Sequence, residues 1–160
     1  MLEYETLIEF ARLQDAEAIG LMSRNDVERG LGWQYTPDRV ARIIRDSSKN
    51  VVVARVESQL AGFGIMTYYE SRANLDLLAV KEKFRRRRIG TRIVQWLQEV
   101  ALTAGAFNVY VQVRSRNTGA VKFYENLDFI VVDEMQGYYK GVETAVIMAK
   151  SLTRIFHPIA

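Results

Sequence analysis

Cysteine is absent from the 160-residue chain, and histidine occurs once, as His157. Without a thiol there is no disulfide framework, no thiolate nucleophile and no thiolate ligand for a metal. A lone histidine excludes a histidine-rich metal site and argues against Ser–His catalysis. No apolar run approaches 18 residues, and the N-terminus lacks the pattern of a signal peptide. These absences predict a chain with no membrane partner and no metal cofactor, in the reducing setting of the cytoplasm. Glycine is sparse where phosphate motifs would need it. The P-loop spacing is missing, and of the three glycines of a dinucleotide fingerprint only Gly90 is present.

What the chain does contain is ordinary in bulk and uneven in detail. Apolar residues make up 49% and charged residues 26%, enough for one domain with a sizeable core. The formal charge of +3 hides an asymmetry: seven of the 22 Lys and Arg residues fall between Lys81 and Arg92, opposed only by Glu82. That patch sits inside the stretch Leu75 to Gly105. There a strand-length apolar run, LDLLAV, leads through KEKFRRRRIGT into the amphipathic RIVQWLQEVALTAG. A strand–loop–helix unit of this kind aims backbone N–H groups and a helix dipole at the loop, and the arginines add charge. The implied ligand is a phosphate or pyrophosphate. Aromatic residues do not alternate with the arginines, so a nucleic-acid partner is not expected.

Along the chain, YETLIEFARL reads as a first strand, and Asp15 resembles an N-cap for a ragged helix AEAIGLMSRNDVERGL that the pattern would kink or split. Thr36-Pro37 begins a second helix, which Lys49-Asn50 would end. Val51–Val56 and Leu60–Tyr69 form a hairpin in which Gly62 and Gly64 permit close approach. In the strand Leu75–Val80 the apolar residues do not alternate, which suits burial on both faces or a β-bulge. The helix after Gly90 turns Ile93, Leu97, Val100, Ala101 and Ala104 to the core and ends at Gly105. Phe107–Val113 is a strand, Asn117 caps TGAVKFYENL, and Phe129–Val132 and Val142–Ala149 are two closing strands joined through Gly137–Gly141. The order β α α β β β α β α β β predicts an α/β (α+β) fold: a mixed, mostly antiparallel sheet of about seven strands with helices on both faces. It is expected as a single domain over residues 1–150 with a tail over 151–160.

Order and motifs together resemble the GNAT superfamily of acyl-CoA-dependent N-acetyltransferases, over roughly Tyr4 to Lys150. The pyrophosphate loop of that family, Arg/Gln-x-x-Gly-x-Gly/Ala, is met at Arg85 and Gly90, with Arg88 in place of the middle glycine. Its second motif, Asn-x-x-Ala-x-x-x-Tyr-x-x-x-Gly-Phe, is met at Asn117, Ala120, Tyr124 and Phe129, with Asp128 in place of the glycine. The segment Gly137–Met148 is similar to the final hairpin of the ribosomal-protein N-terminal acetyltransferases.

The resemblance implies acetyl-CoA as co-substrate and an amine acceptor, possibly a peptide N-terminus, for a monomer or homodimer. It assigns cofactor binding to Leu78, Ala79, Val80, Arg85, Arg86, Arg87, Arg88, Ile89, Gly90, Thr91, Asn117 and Tyr124. Tyr124 is also the expected catalytic residue, protonating the leaving thiolate. Asn117 and Tyr124 lie two helical turns apart, roughly 10 Å along one face. Trp33, Tyr35, Tyr138 and Tyr139 would wall the acceptor pocket. A small amine, a lysine side chain or a non-catalytic acyl-CoA-binding role are the other readings. One departure bears on mechanism. The resembling enzymes carry Leu-Glu-Val-Arg before the motif asparagine, the Glu being the proposed base; here Val111-Gln112-Val113-Arg114 puts an amide there. Without a base the rate should rise with pH to the acceptor's own pKa, and α-amines should be preferred. At pH 7 an α-amine of pKa about 8 is roughly 10% neutral, a lysine amine roughly 0.04%. Glu70 and Asp76 are the next residues to consider as a base.

Overall fold

A computed structural model describes residues 5–139, 141 and 143–152. β1 (Thr6–Phe10) leads through a 3-10 turn, Leu13–Asp15, into α1 (Ala16–Met22), which continues as a π-helical turn, Ser23–Val27. Then come α2 (Pro37–Arg45), β2 (Lys49–Val56), β3 (Gln59–Tyr68), β4 (Arg72–Val80) and α3 (Ile89–Thr103). β5 (Asn108–Arg114), α4 (Thr118–Asn126), β6 (Ile130–Tyr139) and β7 (Glu143–Ser151) complete the chain. The seven strands form one sheet in the order β1-β2-β3-β4-β5-β7-β6, antiparallel throughout except between β4 and β5. The expected element order and sheet are those observed.

The caps explain most boundaries. Thr36 Oγ1 accepts from the Arg39 N–H with Pro37 in the first turn of α2, and Asn117 Oδ1 accepts from the Ala120 N–H at 3.0 Å to start α4. Asp15 differs from expectation. Its side chain does not cap α1; it accepts from the Arg12 N–H and the Arg55 guanidinium, each at 2.7 Å, tying the entry of α1 to β2. Burial pushes the Asp15 carboxyl up, but the bonds from Arg55 and Arg12 outweigh it and hold the group below the usual carboxylate range. Lys49 and Asn50 open β2 rather than close α2. On α3, Val100 is half-buried and Ala104 exposed, and Val94 takes a core place instead. β6 runs through Gly137 to Tyr139, so the paired tyrosines stand on a strand end and not in a loop. Lys140, Val142 and residues 153–160, with most of the expected tail and His157, lie outside the described residues.

Two apolar layers sandwich the sheet. α3 and α4 cover one face, where Ile93, Leu97 and Phe129 pack on Val52, Met66 and Val111. α1 and α2 cover the other, where Ile19, Val40 and Ile43 pack on Val53, Phe63 and Ile65. Gly64 lets α3 approach β3: a Cβ there would stand 2.9 Å from both Ile93 and Leu97.

β4 contributes to both layers, and a bulge is the reason. Its register on β3 slips between Ile65–Leu77 and Met66–Leu75, leaving Asp76 as the extra residue. Ala73 and Leu75 therefore enter the α3/α4 layer, whereas Leu77 and Ala79 enter the α1/α2 layer. The missing alternation in LDLLAV is the trace of this parity change. At the same point β4 parts from β5. The parallel ladder runs from Arg72–Asn108 to Leu75–Val111 and stops, although β4 continues to Val80 and β5 to Arg114.

Candidate active site

The parted strands open a cleft of about 600 Å³ that passes through the sheet. Leu78 and Leu75 line it from β4, and Val111, Gln112, Val113 and Arg114 from β5. Asn117, Ala120 and Tyr124 of α4 border it on one side. The segment Asp26–Leu31, Tyr35 and the strand end Tyr138–Tyr139 border it on the other.

On the α4 side, Tyr124 is buried against Phe123 and Phe129 in edge-on contacts, its ring 5.0 Å and 5.3 Å from theirs. Burial, reinforced by the nearby Tyr139, pushes the Tyr124 phenol well above its ordinary range. It therefore stays protonated at neutral pH. Leu78 reaches the cleft, whereas Ala79 is buried in the α1/α2 layer and only its backbone can serve a ligand. Val80 is half-buried, and its carbonyl accepts from Arg85 Nε at 3.1 Å, which folds the arginine loop back onto the strand end.

The loop itself is built by backbone geometry. Arg86 (φ 66°) and Arg88 (φ 60°) are left-handed, each costing roughly 1–2 kcal/mol in a residue with a Cβ. Arg88 stands directly before the 15-residue α3 and so takes the conformation that a motif glycine would adopt freely. Asp128 (φ 70°) does the same after α4. Arg85, Arg86, Arg87 and Arg88 are all exposed, and Ile89, Gly90 and Thr91 form the first turn of α3, whose N–H groups have no partner within the helix. The loop lies outside the cleft lining, beyond the end of β4. A Cβ on Gly90 would point at Phe123 (3.3 Å) and Val80 (3.6 Å), so this glycine permits α3 to meet α4 and does not face the loop's outer side.

The side of the cleft opposite α4 was largely invisible in the sequence. Buried Glu28 takes hydrogen bonds from the Ser23 hydroxyl (3.0 Å), the Gln34 N–H (2.7 Å) and the Tyr35 N–H (3.1 Å), and this fixes the loop that presents Tyr35. Trp33 is not a wall of the pocket. Its indole N–H donates to the Gly20 and Tyr35 carbonyls, both at 3.0 Å, so it braces the same loop from behind. Arg114 reaches from β5 to the Val27 carbonyl (3.1 Å) and the Arg29 carbonyl (3.3 Å), and lies over the Tyr139 ring and beside Glu143. Burial and the neighbouring Tyr138 push the Tyr139 phenol up to about 12. Gln112 does not stand free: its amide pairs reciprocally with that of Asn74, at 2.8 and 3.0 Å. Asn74 in turn donates to Asp76. Of the two residues considered as a base, Asp76 lines the cleft, whereas Glu70 is exposed in the turn between β3 and β4. No motif spacing links Glu28 to Asp76; only the fold brings both to the cleft. Among the described residues no group of acidic residues suits a metal ion, and no helix is long and apolar enough to cross a membrane.

The profile of the Acetyltransferase (GNAT) family matches residues 21–129. The [Ribosomal protein bS18]-alanine N-acetyltransferase of Salmonella typhimurium is 31% identical over 96 residues, which cover 58% of this chain and 65% of that protein. The N-alpha-acetyltransferase of Saccharolobus solfataricus is 27% identical over 111 residues, covering 69% of this chain and 66% of the relative. The matched part thus spans just under two thirds of these two relatives. Among solved structures, Ard1 from Thermoplasma volcanium superposes with a TM-score of 0.83 at 21% identity, over 93% of this chain and 99% of that one. The PaiA N-acetyltransferase of Thermoplasma acidophilum, solved with coenzyme A, gives 0.80 at 19% identity over 92% and 99%. At these identities the two structures establish the shared fold.

Proposed function

The chain belongs to the acetyltransferase (GNAT) family, and on that premise we propose that it moves an acetyl group from acetyl-CoA to a primary amine, in the first instance the α-amine of a protein N-terminus. The observation that carries this is the parting of β4 and β5 into a cleft that crosses the sheet. It has a buried, protonated tyrosine on one side and an aromatic pocket with a carboxylate on the other. The arginine loop and the first turn of α3 suit the phosphates of coenzyme A, through backbone N–H groups and arginine charge. From there an extended thioester arm can follow the free edge of β4 past Leu78, whose neighbouring N–H groups would polarise the carbonyl. Tyr124 then protonates the sulfur. The α-amine preference is supported by the N-terminal and N-alpha acetyltransferases among the relatives. A cytoplasmic location suits a chain with no cysteine, and a monomer or homodimer suits a cleft formed within one chain.

The experiment is mass-spectrometric screening of peptides with free N-termini, peptides with blocked N-termini and internal lysines, and small polyamines, each with acetyl-CoA. Addition of one acetyl group to the free N-terminal peptides is the expected result. Acetylation confined to lysine or polyamine would replace the acceptor while keeping the reaction. Binding of acetyl-CoA with no turnover would leave a binding module.

A further inference from the structure

We propose that Asp76 holds the ammonium group of the acceptor and takes its first proton, with Asn74 and Gln112 as positioning residues; this rests on the acetyl-transfer reading above. Asp76 is the extra residue of the β4 bulge and lies on the same side of the sheet as Asn74 and Thr67, which it bonds, at the place where β4 leaves β5. The carboxylate is gripped from behind. Oδ1 accepts from Asn74 Nδ2 at 2.8 Å, and Oδ2 accepts from the Thr67 hydroxyl. Lys49 Nζ donates to that hydroxyl at 2.7 Å and stands 3.9 Å from Oδ2. Two donors leave part of the carboxylate's accepting capacity toward the cleft, which the 18% exposed side chain lines.

The ionisable groups facing Asp76 are Lys49 from β2, Tyr35 from the loop before α2, and Tyr138 from the end of β6. Both tyrosines carry phenols raised first by burial and then by the Asp76 charge, so that charge is felt across the acceptor side. Lys49 pairs with this charge at 3.9 Å, but it is directed to the Thr67 hydroxyl and is over a quarter exposed, so solvent screens the pair. Asn74 is itself oriented by Gln112. Its Oδ1 is occupied by Gln112 Nε2 and its Nδ2 bridges Gln112 Oε1 and Asp76 Oδ1. The amide that stands where resembling enzymes carry a carboxylate is thus not idle; it aims the carboxylate that replaces it.

In the step, the ammonium gives one proton to Asp76, and the freed lone pair attacks the thioester carbonyl carbon. The C–N bond forms and the C–S bond breaks. The sulfur takes the Tyr124 proton, and the second proton of the nitrogen returns through water to Tyr124. Asp76 loses its proton to solvent through the cleft, so the products are the amide, free CoA thiol and one proton.

The test is kcat/KM against pH with acetyl-CoA and a peptide bearing a free N-terminal alanine. For the wild type the rising limb should lie well below the α-amine pKa of about 8, because deprotonation happens on the enzyme. Asp76→Asn should lower kcat/KM at pH 7 at least 10-fold, raise the acceptor KM and move the limb to the amine's own pKa. Calorimetric affinity for acetyl-CoA should stay within about twofold, a control on folding. Gln112→Ala should give a smaller loss with the limb displaced the same way, whereas a merely structural role would lower the rate and leave the limb in place. A wild-type limb already at the amine's pKa, or an unmoved limb in both variants, overturns the assignment. If Asp76→Asn does not fold, an unmoved limb in Gln112→Ala alone overturns it. Absence of turnover by the wild type at every pH overturns the acetyl-transfer reading and this proposal with it.

Discussion

The two sides of the cleft are made in different ways. The α4 side, with its arginine loop, is assembled from neighbours in sequence. Arg85 bonds Val80 five residues away, Arg88 precedes the helix it starts, and Asn117 caps the helix that carries Tyr124. The opposite side is assembled from strangers. Arg114 reaches Val27 across 87 positions, and Gln112 reaches Asn74 across 38. Chemistry whose geometry is local can be carried by a motif. Chemistry whose geometry depends on which strands are neighbours cannot, and it is also where related chains are free to differ in substrate.

The largest expected effect falls on the α4 side. Tyr124→Phe should lower kcat at least 10-fold while leaving the KM for acetyl-CoA nearly unchanged, since the hydroxyl is needed only as charge develops on sulfur. Steady-state kinetics at saturating acceptor reads this directly. Undiminished kcat would make Tyr124 a packing residue for Phe123 and Phe129 and nothing more.

A smaller effect, confined to one side, is expected from Arg114→Ala. It frees the Val27 and Arg29 carbonyls and should raise the acceptor KM several-fold, with acetyl-CoA affinity by calorimetry within about twofold. Arg114→Lys keeps the charge but not the planar fork and should recover little of the loss. Equal losses for both substrates would show that the sides are not separable.

The smallest effect belongs to the loop. Arg88→Gly relieves a left-handed residue with a Cβ at the start of α3 and should change acetyl-CoA affinity less than about threefold, with an unchanged or slightly raised melting temperature. A tenfold loss would assign the work to the guanidinium of Arg88 and not to the backbone it shapes.

Legibility in the sequence followed the same division. The strand–loop–helix unit, the caps at Thr36 and Asn117, the seven strands and their order were all readable, because caps, periodicity and turn chemistry act over a few residues. The irregular run LDLLAV announced a bulge or two-sided burial, and both are present. Trp33 was misread as a wall, since an aromatic side chain in a loop gives no sign of whether it faces a ligand or braces its own backbone. Asp15 looked like a cap because its spacing fitted one, and nothing local showed Arg55 waiting 40 residues away. Glu28 gave no signal, because a buried carboxylate satisfied by backbone N–H groups looks in sequence like any surface acid. Gln112 was readable as a missing base but not as one half of a pair with Asn74.

The single extra residue in β4 makes this protein sensitive to length in a way that composition would not suggest. Removing Asp76 outright, rather than replacing it, would bring Leu77 next to Leu75 and let regular pairing with β3 run on through Met66–Leu75 and Ile65–Leu77. Leu77 and Ala79 would still face α1 and α2, and Leu78 and Val80 would still face α3 and α4, with the bulge gone. Each apolar residue would keep its own layer, so the chain could keep a core while β4 loses the bulge at which it parts from β5. Among chains of this kind, a one-residue deletion at the bulge would therefore separate folding from turnover more cleanly than any substitution in the cleft.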